Sequence, residues 1–138
     1  MSAEGYVLDT SALFTLVEDE PGAERVEEVL KTERVWLPWL VLLELAYVTR
    51  QERGEAAAEY RYALAKPLPA TVLWDAAEPP LLTAARVKAS YRVSLADAII
   101  AAVAVRRGAV LLHKDPEYEA LAVEMALEAL PYKDRQPG

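Results

Sequence analysis

Apolar residues along this chain fall into two rhythms. Short runs rich in β-branched and aromatic residues, Tyr6–Leu8, Val35–Leu37, Thr71–Trp74 and Val110–Leu112, read as strands. Between them lie longer stretches with apolar positions at helical spacing, such as Val26, Val29 and Leu30. The spacing predicts helices over Ser11–Val17, Pro21–Lys31, Trp39–Arg53, Glu55–Lys66, from Pro79-Pro80 to about Ser90, Ser94–Arg107 and Glu117–Met125. Pro21 suits a first helical position and Gly54 a C-cap. Pro67-Leu68-Pro69 breaks the helix before it, and Gly108 ends another. Leu127–Leu130 is a final strand or simply tail.

Strands that alternate with helices need crossover connections, which place helices on both faces of a mostly parallel sheet. The expected fold is therefore α/β, a three-layer α/β/α sandwich around four or five strands. Residues 1–133 read as a single domain and residues 134–138 as a loose tail. No repeat, linker or low-complexity segment interrupts the pattern.

Composition narrows the reading. The chain has 138 residues, enough for a substantial core, with 54% hydrophobic and 27% charged residues, a globular balance. It has no cysteine, which excludes a disulfide framework and a thiolate metal site. The longest apolar stretch, WLPWLVLLELAYV, contains Pro38 and Glu44 and falls short of the ~20 residues of a membrane span. With no visible signal peptide, the expected location is the cytoplasm. The net charge of −7 argues against coating nucleic acid by general charge attraction. It leaves room for an enzyme whose bound divalent ions reverse the local field.

The candidate chemistry lies in four acids. In parallel α/β sheets the active crevice lies beyond the carboxyl ends of the strands. Asp9 follows the first strand and Asp115 the fourth, so both emerge at one edge. Glu44 is flanked by Leu40, Val41, Tyr47 and Val48 at helical spacing, and no helix face around it is plainly wet. A buried carboxylate is costly unless a cation, a proton or an arginine such as Arg25 or Arg86 compensates it. Asp97 lies on the first turn of a helix that stays apolar until Arg106. Each acid also has a plain structural explanation. Asp9 could cap the following helix, Ser94-x-x-Asp97 resembles a capping box, and Asp115-Pro116 favours a helix start. Together, four such acids make the oxygen-rich donor set that Mg²⁺ or Mn²⁺ requires.

Four stretches carry a family likeness: VLDTSAL from Val7, LLELAYVTR from Leu42, VSLADAIIAA from Val93 and LLHKDPEYEAL from Leu111. In order and spacing they resemble the acidic motifs of PIN-domain ribonucleases, and most of all the VapC-type toxins of toxin–antitoxin pairs. The resemblance spans Tyr6 to about Leu121. It implies a Mg²⁺- or Mn²⁺-dependent endoribonuclease acting on single-stranded or loop RNA, with Asp9, Glu44, Asp97 and Asp115 as its acidic positions. Asp9, Asp97 and Asp115 would be direct ligands, and Glu44 would bind through water or orient the attacking water. Ser11 matches the small hydroxyl residue after the first acid, and Thr10 or Ser11 could hold water or phosphate. Glu117 matches a further acid two residues past the fourth. The chain departs from the pattern at His113, where many members have Thr or Ser. It also departs at Asp115-Pro116-Glu117-Tyr118, where many have Asp-x-Asp-Phe.

RNA would need local cations, for which Arg50, Arg53, Lys88, Arg92 and Lys114 are candidates against the plain reading of solvated surface charge. Tyr47 or Trp39 could stack on a base, with core burial the stronger expectation. His113 could reach a phosphate, but a structural role is the stronger expectation. The resemblance also implies a cognate antitoxin protein and a homodimer, whose apolar contacts could come from the Trp39–Tyr47 or Glu55–Leu64 helix. One alternative is a response-regulator-like receiver with Asp75 as phosphoacceptor and Lys114 as its partner. Others are a haloacid-dehalogenase-type phosphatase, which would want Asp at Ser11, and a non-catalytic PIN-like interaction domain.

Overall fold

In the computed structural model, which describes residues 4–133, five parallel strands form one sheet. They are β1 (Tyr6–Leu8), β2 (Val35–Pro38), β3 (Thr71–Leu73), β4 (Val110–His113) and β5 (Leu127–Ala129), in the order β3-β2-β1-β4-β5. The register places Val7 beside Trp36 on one flank and Leu111 on the other. The expected strands all form, and Leu127–Leu130 resolves into a strand rather than tail. The tail expected at 134–138 lies outside the described residues.

Helices α1 (Thr10–Val17), α2 (Ala23–Thr32), α3 (Trp39–Arg53) and α4 (Glu55–Ala65) fill the first two connections. Helices α5 (Glu78–Ser90) and α6 (Leu95–Arg107) connect β3 back across the sheet to β4. The chain moves one way from β1 through β2 to β3 and the other way from β4 to β5. Right-handed crossovers then put α1–α4 on one face and α5–α6 on the other, the three-layer sandwich expected. The direction reverses between β1 and β4, which is where a doubly wound sheet opens a crevice at its carboxyl edge.

The central strands are buried on both faces, so they read as continuous apolar runs. Val7, Leu8, Leu37, Leu111 and Leu112 form the middle of the core. Helix α6 presents Ala98, Ala101 and Ala104, all fully buried. These small side chains let the helix axis sit close against the core, and that fixes the height of its first turn over the sheet edge.

Two boundaries differ from expectation. Helix α2 starts at Ala23 rather than Pro21, because Gly22 occupies the N-cap with φ of +105°. A Cβ there would meet Pro131 at 3.0 Å and Leu130 at 3.2 Å, so the entry turn presses on the strand end across the sheet. The expected helix over Glu117–Met125 is a 3₁₀ helix over Pro116–Val123. The tighter winding brings positions three apart onto one face, so Tyr118 and Leu121 both point inward and are buried.

Candidate metal centre

Asp9 ends β1 and caps α1 at once. Its Oδ1 accepts from the Ala12 amide at 2.9 Å and from the Ser11 hydroxyl at 2.7 Å. Ser11 Oγ in turn accepts from the Lys114 amide at 2.8 Å, which ties the end of β1 to the end of β4. Asp9 is 2% exposed, and burial, the largest influence, pushes its carboxyl up to about 7. The Ser11 and Ala12 hydrogen bonds oppose that rise, and the nearby Asp97 charge adds to it.

Asp97 occupies the third position of α6, where Ser94 caps the helix by accepting the Asp97 amide at 3.1 Å. The capping role and the proximity to other acids are compatible, since the cap is made to the amide of Asp97 and its carboxylate still reaches Tyr118. That carboxylate is raised by burial first, then by the charges of Asp115 and Glu44, while a hydrogen bond from Tyr118 lowers it. Asp115 caps the 3₁₀ helix through Oδ1, which accepts from the Glu117 amide at 2.9 Å. Among the described residues, Asp97, Asp115 and Glu117 each offer one oxygen within 4.8 Å of the others. All three donors are carboxylates, the hard-oxygen set that suits Mg²⁺ or Mn²⁺.

Glu44 lies on the second turn of α3 and accepts from the Thr10 hydroxyl at 2.5 Å. The expectation that no wet face surrounds it is overturned. Helix α3 buries Val41, Leu42 and Leu45 against the core, but it leaves Leu43 and Tyr47 each 45% exposed and Trp39 40% exposed. The expected core burial of Tyr47 and Trp39 fails for the same reason: the first turns of α3 are apolar on more sides than the sheet and the neighbouring helices cover. Neither Arg25 nor Arg86 pairs with Glu44. Arg25 grips Glu128 and Glu28, and Arg86 holds Glu124.

Thus β1, α3, α6 and the segment after β4 bring Asp9, Glu44, Asp97, Asp115 and Glu117 to one crevice. Asp9 and Glu44 stand beside the three-oxygen group rather than in it. Tyr118 escaped the sequence reading. It is 1% exposed and donates to Asp97 Oδ1 at 2.9 Å. Burial, then the charges of Asp9 and Asp97, hold its phenol well above the usual tyrosine range, so it stays protonated. The only sequence signal was its place three residues from both Asp115 and Leu121. His113 is structural: it is 1% exposed, its Nδ1 accepts from the Asp115 amide, and burial lowers its pKa.

The proposed cations divide. Arg50, Arg53, Lys88 and Arg92 are exposed, with Arg50 3.6 Å from Glu55. Lys114 is not a free surface charge: its side chain is 5% exposed and its ammonium lies 3.7 Å from Glu20. It helps line a groove of about 990 Å³ beside the crevice with Ser11, Phe14, Val48, Pro116 and Tyr132. Four glutamates, Glu18, Glu20, Glu52 and Glu119, share that groove with Lys114 and Lys133, so its balance is acidic. The receiver alternative finds little here, because Asp75 is exposed beyond the edge strand β3 and Lys114 faces Glu20.

Comparison with known proteins agrees with this geometry. The chain superposes on VapBC2 from Rickettsia felis, bound to a DNA fragment from their promoter, with a TM-score of 0.75 at 15% identity, covering 91% of this chain and 98% of that one. A toxin–antitoxin complex from Klebsiella pneumoniae gives 0.67 at 16%, covering 94% and 100%. VapC20 from Mycobacterium tuberculosis, a sarcin–ricin loop cleaving toxin, gives 0.68 at 18%, covering 84% and 94%. At such identities the likeness is one of fold. No curated protein matches the sequence. The PIN domain model matches residues 6–124, a span that runs from β1 past Tyr118 and takes in every acid of the crevice, and the chain therefore belongs to the PIN domain family.

Proposed function

We propose that this PIN domain is a divalent-metal-dependent endoribonuclease acting on single-stranded or loop RNA, and the toxin of a toxin–antitoxin pair. The observation that carries the reading is the gathering of Asp9, Glu44, Asp97, Asp115 and Glu117 at the β1–β4 switch point of a family member. Asp97, Asp115 and Glu117 would hold Mg²⁺ or Mn²⁺, with Asp9 completing the set from the β1 side. The bound ion would supply Lewis-acid polarisation of the phosphodiester and a water acidic enough to attack near neutral pH.

The chain's own residues do the rest. Ser11 and the Ala12 amide fix the Asp9 carboxylate, which keeps one oxygen unengaged by either. Thr10 orients Glu44, whose other oxygen is available to a water. The acidic groove gives an RNA backbone no general attraction, so productive binding would depend on the ion and on exposed cations such as Arg50, Arg53, Lys88 or Arg92.

The toxin reading is supported by the solved toxin–antitoxin complexes of the same fold and by exposed apolar residues on α3 and α4. Trp39, Leu43, Tyr47, Tyr60 and Leu64 leave a surface a second chain could cover, either the antitoxin or a second copy. Purified protein with Mn²⁺ or Mg²⁺ should cut single-stranded RNA, and excess EDTA or Asp97→Asn should abolish cutting without unfolding the protein. Full activity in EDTA excludes the mechanism. Lack of both cleavage and metal-induced stabilisation would favour the non-catalytic interaction domain.

A further inference from the structure

We infer that Tyr118 is a positioning residue for the metal ligands: its hydroxyl fixes the Asp97 carboxylate across from Asp9, so that Asp97 meets an incoming divalent ion with one oxygen held and the other free. The inference rests on the nuclease reading above and deepens it.

Tyr118 reaches the crevice from beneath. Asp115 and Pro116 open the 3₁₀ helix, Glu117 faces the acidic group, and Tyr118 turns inward with 1% exposure. Its ring packs on His113 with centroids 5.0 Å apart at an interplanar angle of 58°. His113 is itself fixed, because its Nδ1 accepts from the Asp115 amide at 3.1 Å. The phenol oxygen therefore has little freedom. It is set by β4 and the 3₁₀ helix, yet it donates to Asp97 on α6 at 2.9 Å and lies near Asp9 at the end of β1.

The other donors to these two acids are local. Ser11 and Ala12 hold Asp9 from within α1, and Ser94 holds the start of α6 from one turn away. Among the described residues, Tyr118 alone ties Asp97 to the opposite wall of the crevice. A neutral donor suits that position, since a charged one would compete with the ion for both carboxylates. A carboxylate engaged through one oxygen presents the other in a defined direction. Removing such a partner typically costs 10–100-fold in metal affinity.

Tyr118→Phe keeps the ring, its packing on His113 and its volume, and deletes only the hydroxyl. Mn²⁺ binding to the wild type and to Tyr118→Phe, measured by calorimetry and by the paramagnetic resonance of free Mn²⁺, should show at least a tenfold loss of affinity in the variant. The circular dichroism spectrum should be unchanged. A merely structural tyrosine would alter melting and leave the Mn²⁺ dissociation constant within twofold of wild type, and that result overturns the inference. Absence of Mn²⁺ binding by the wild type overturns the nuclease reading along with it, so the two failures are distinguishable. A second measurement needs no variant. The wild type should show a slowly exchanging tyrosine hydroxyl proton by NMR, assigned through its proximity to the Tyr118 ring, that shifts on titration with Mg²⁺. A resonance that does not move overturns the inference.

Discussion

A carboxylate at the end of a buried strand is the most telling single residue in this chain. Asp9 is nearly inaccessible, and its carboxyl stands at about 7 where an open chain would hold it at 3.8. The folded state therefore binds the proton more tightly than the unfolded state, and the metal-free protein loses stability as pH rises from about 4 to 7, then levels off. Three pH units correspond to on the order of 4 kcal/mol at most. Asp9→Asn should remove this penalty. In EDTA the variant should match the wild type near pH 4 and melt several degrees higher at pH 8, while cleaving no RNA. Thermal melts of both proteins across that range test this, and equal melting temperatures at pH 8 refute it. A divalent ion supplies what the proton supplies at low pH, so Mn²⁺ affinity should increase as pH rises towards 7 and then level off. The four acids were legible in the sequence because each follows a strand, as Asp9 and Asp115 do, or interrupts an apolar helix, as Glu44 and Asp97 do. Tyr118 was not, since a tyrosine beside an apolar stretch reads as core until its hydroxyl is seen to have Asp97 as partner.

At the scale of elements, short polar caps set where the acids stand. Ser94 holds the first turn of α6, and with it Asp97. Ser94→Ala should cost about 1 kcal/mol by denaturant unfolding and weaken Mn²⁺ binding beyond what that loss explains. Gly22 shows the same logic on the opposite end of the connection. Its left-handed conformation strains any side chain, and its close approach to Leu130 and Pro131 leaves little room for one. Gly22→Ala should destabilise by about 1–3 kcal/mol with Mn²⁺ affinity retained, since the β1 and β4 ends are tied separately through Ser11. Helical periodicity located six helices well, because each presents a consistent inward stripe. It misjudged the 3₁₀ helix, where a proline start and inward positions three apart favour tighter winding. It also missed the delayed start of α2, which a contact with the far end of the chain imposes.

At the scale of the whole molecule, an acidic chain with a net charge of −7 gathers several carboxylates into one place, an arrangement that a bound cation would relieve. At a hundredfold excess over the dissociation constant, Mg²⁺ or Mn²⁺ should add about 2.7 kcal/mol, seen as a rise of several degrees in melting temperature that EDTA reverses. The outer side of α3 and α4 calls for the opposite kind of partner, an apolar one. Leu43→Lys combined with Tyr47→Lys should leave the melting temperature nearly unchanged, because both side chains are 45% exposed. Should a short reading frame lie immediately upstream, the double variant co-expressed with its product should no longer retain it on purification, whereas the wild type should.

Local pattern determined the strands, most helix spans and the parallel sheet, and it marked the candidate acids, because periodicity and apolar context are properties of neighbouring residues. Tertiary structure decided which acids share an ion-sized space, that Glu117 joins Asp97 and Asp115 while Glu44 turns to Thr10, and that Lys114 is spent on Glu20. It also decided that α3 turns Trp39, Leu43 and Tyr47 outward while Val41, Leu42 and Leu45 meet the core. These depend on where separate elements meet, and that is set by strand order and helix packing across the fold.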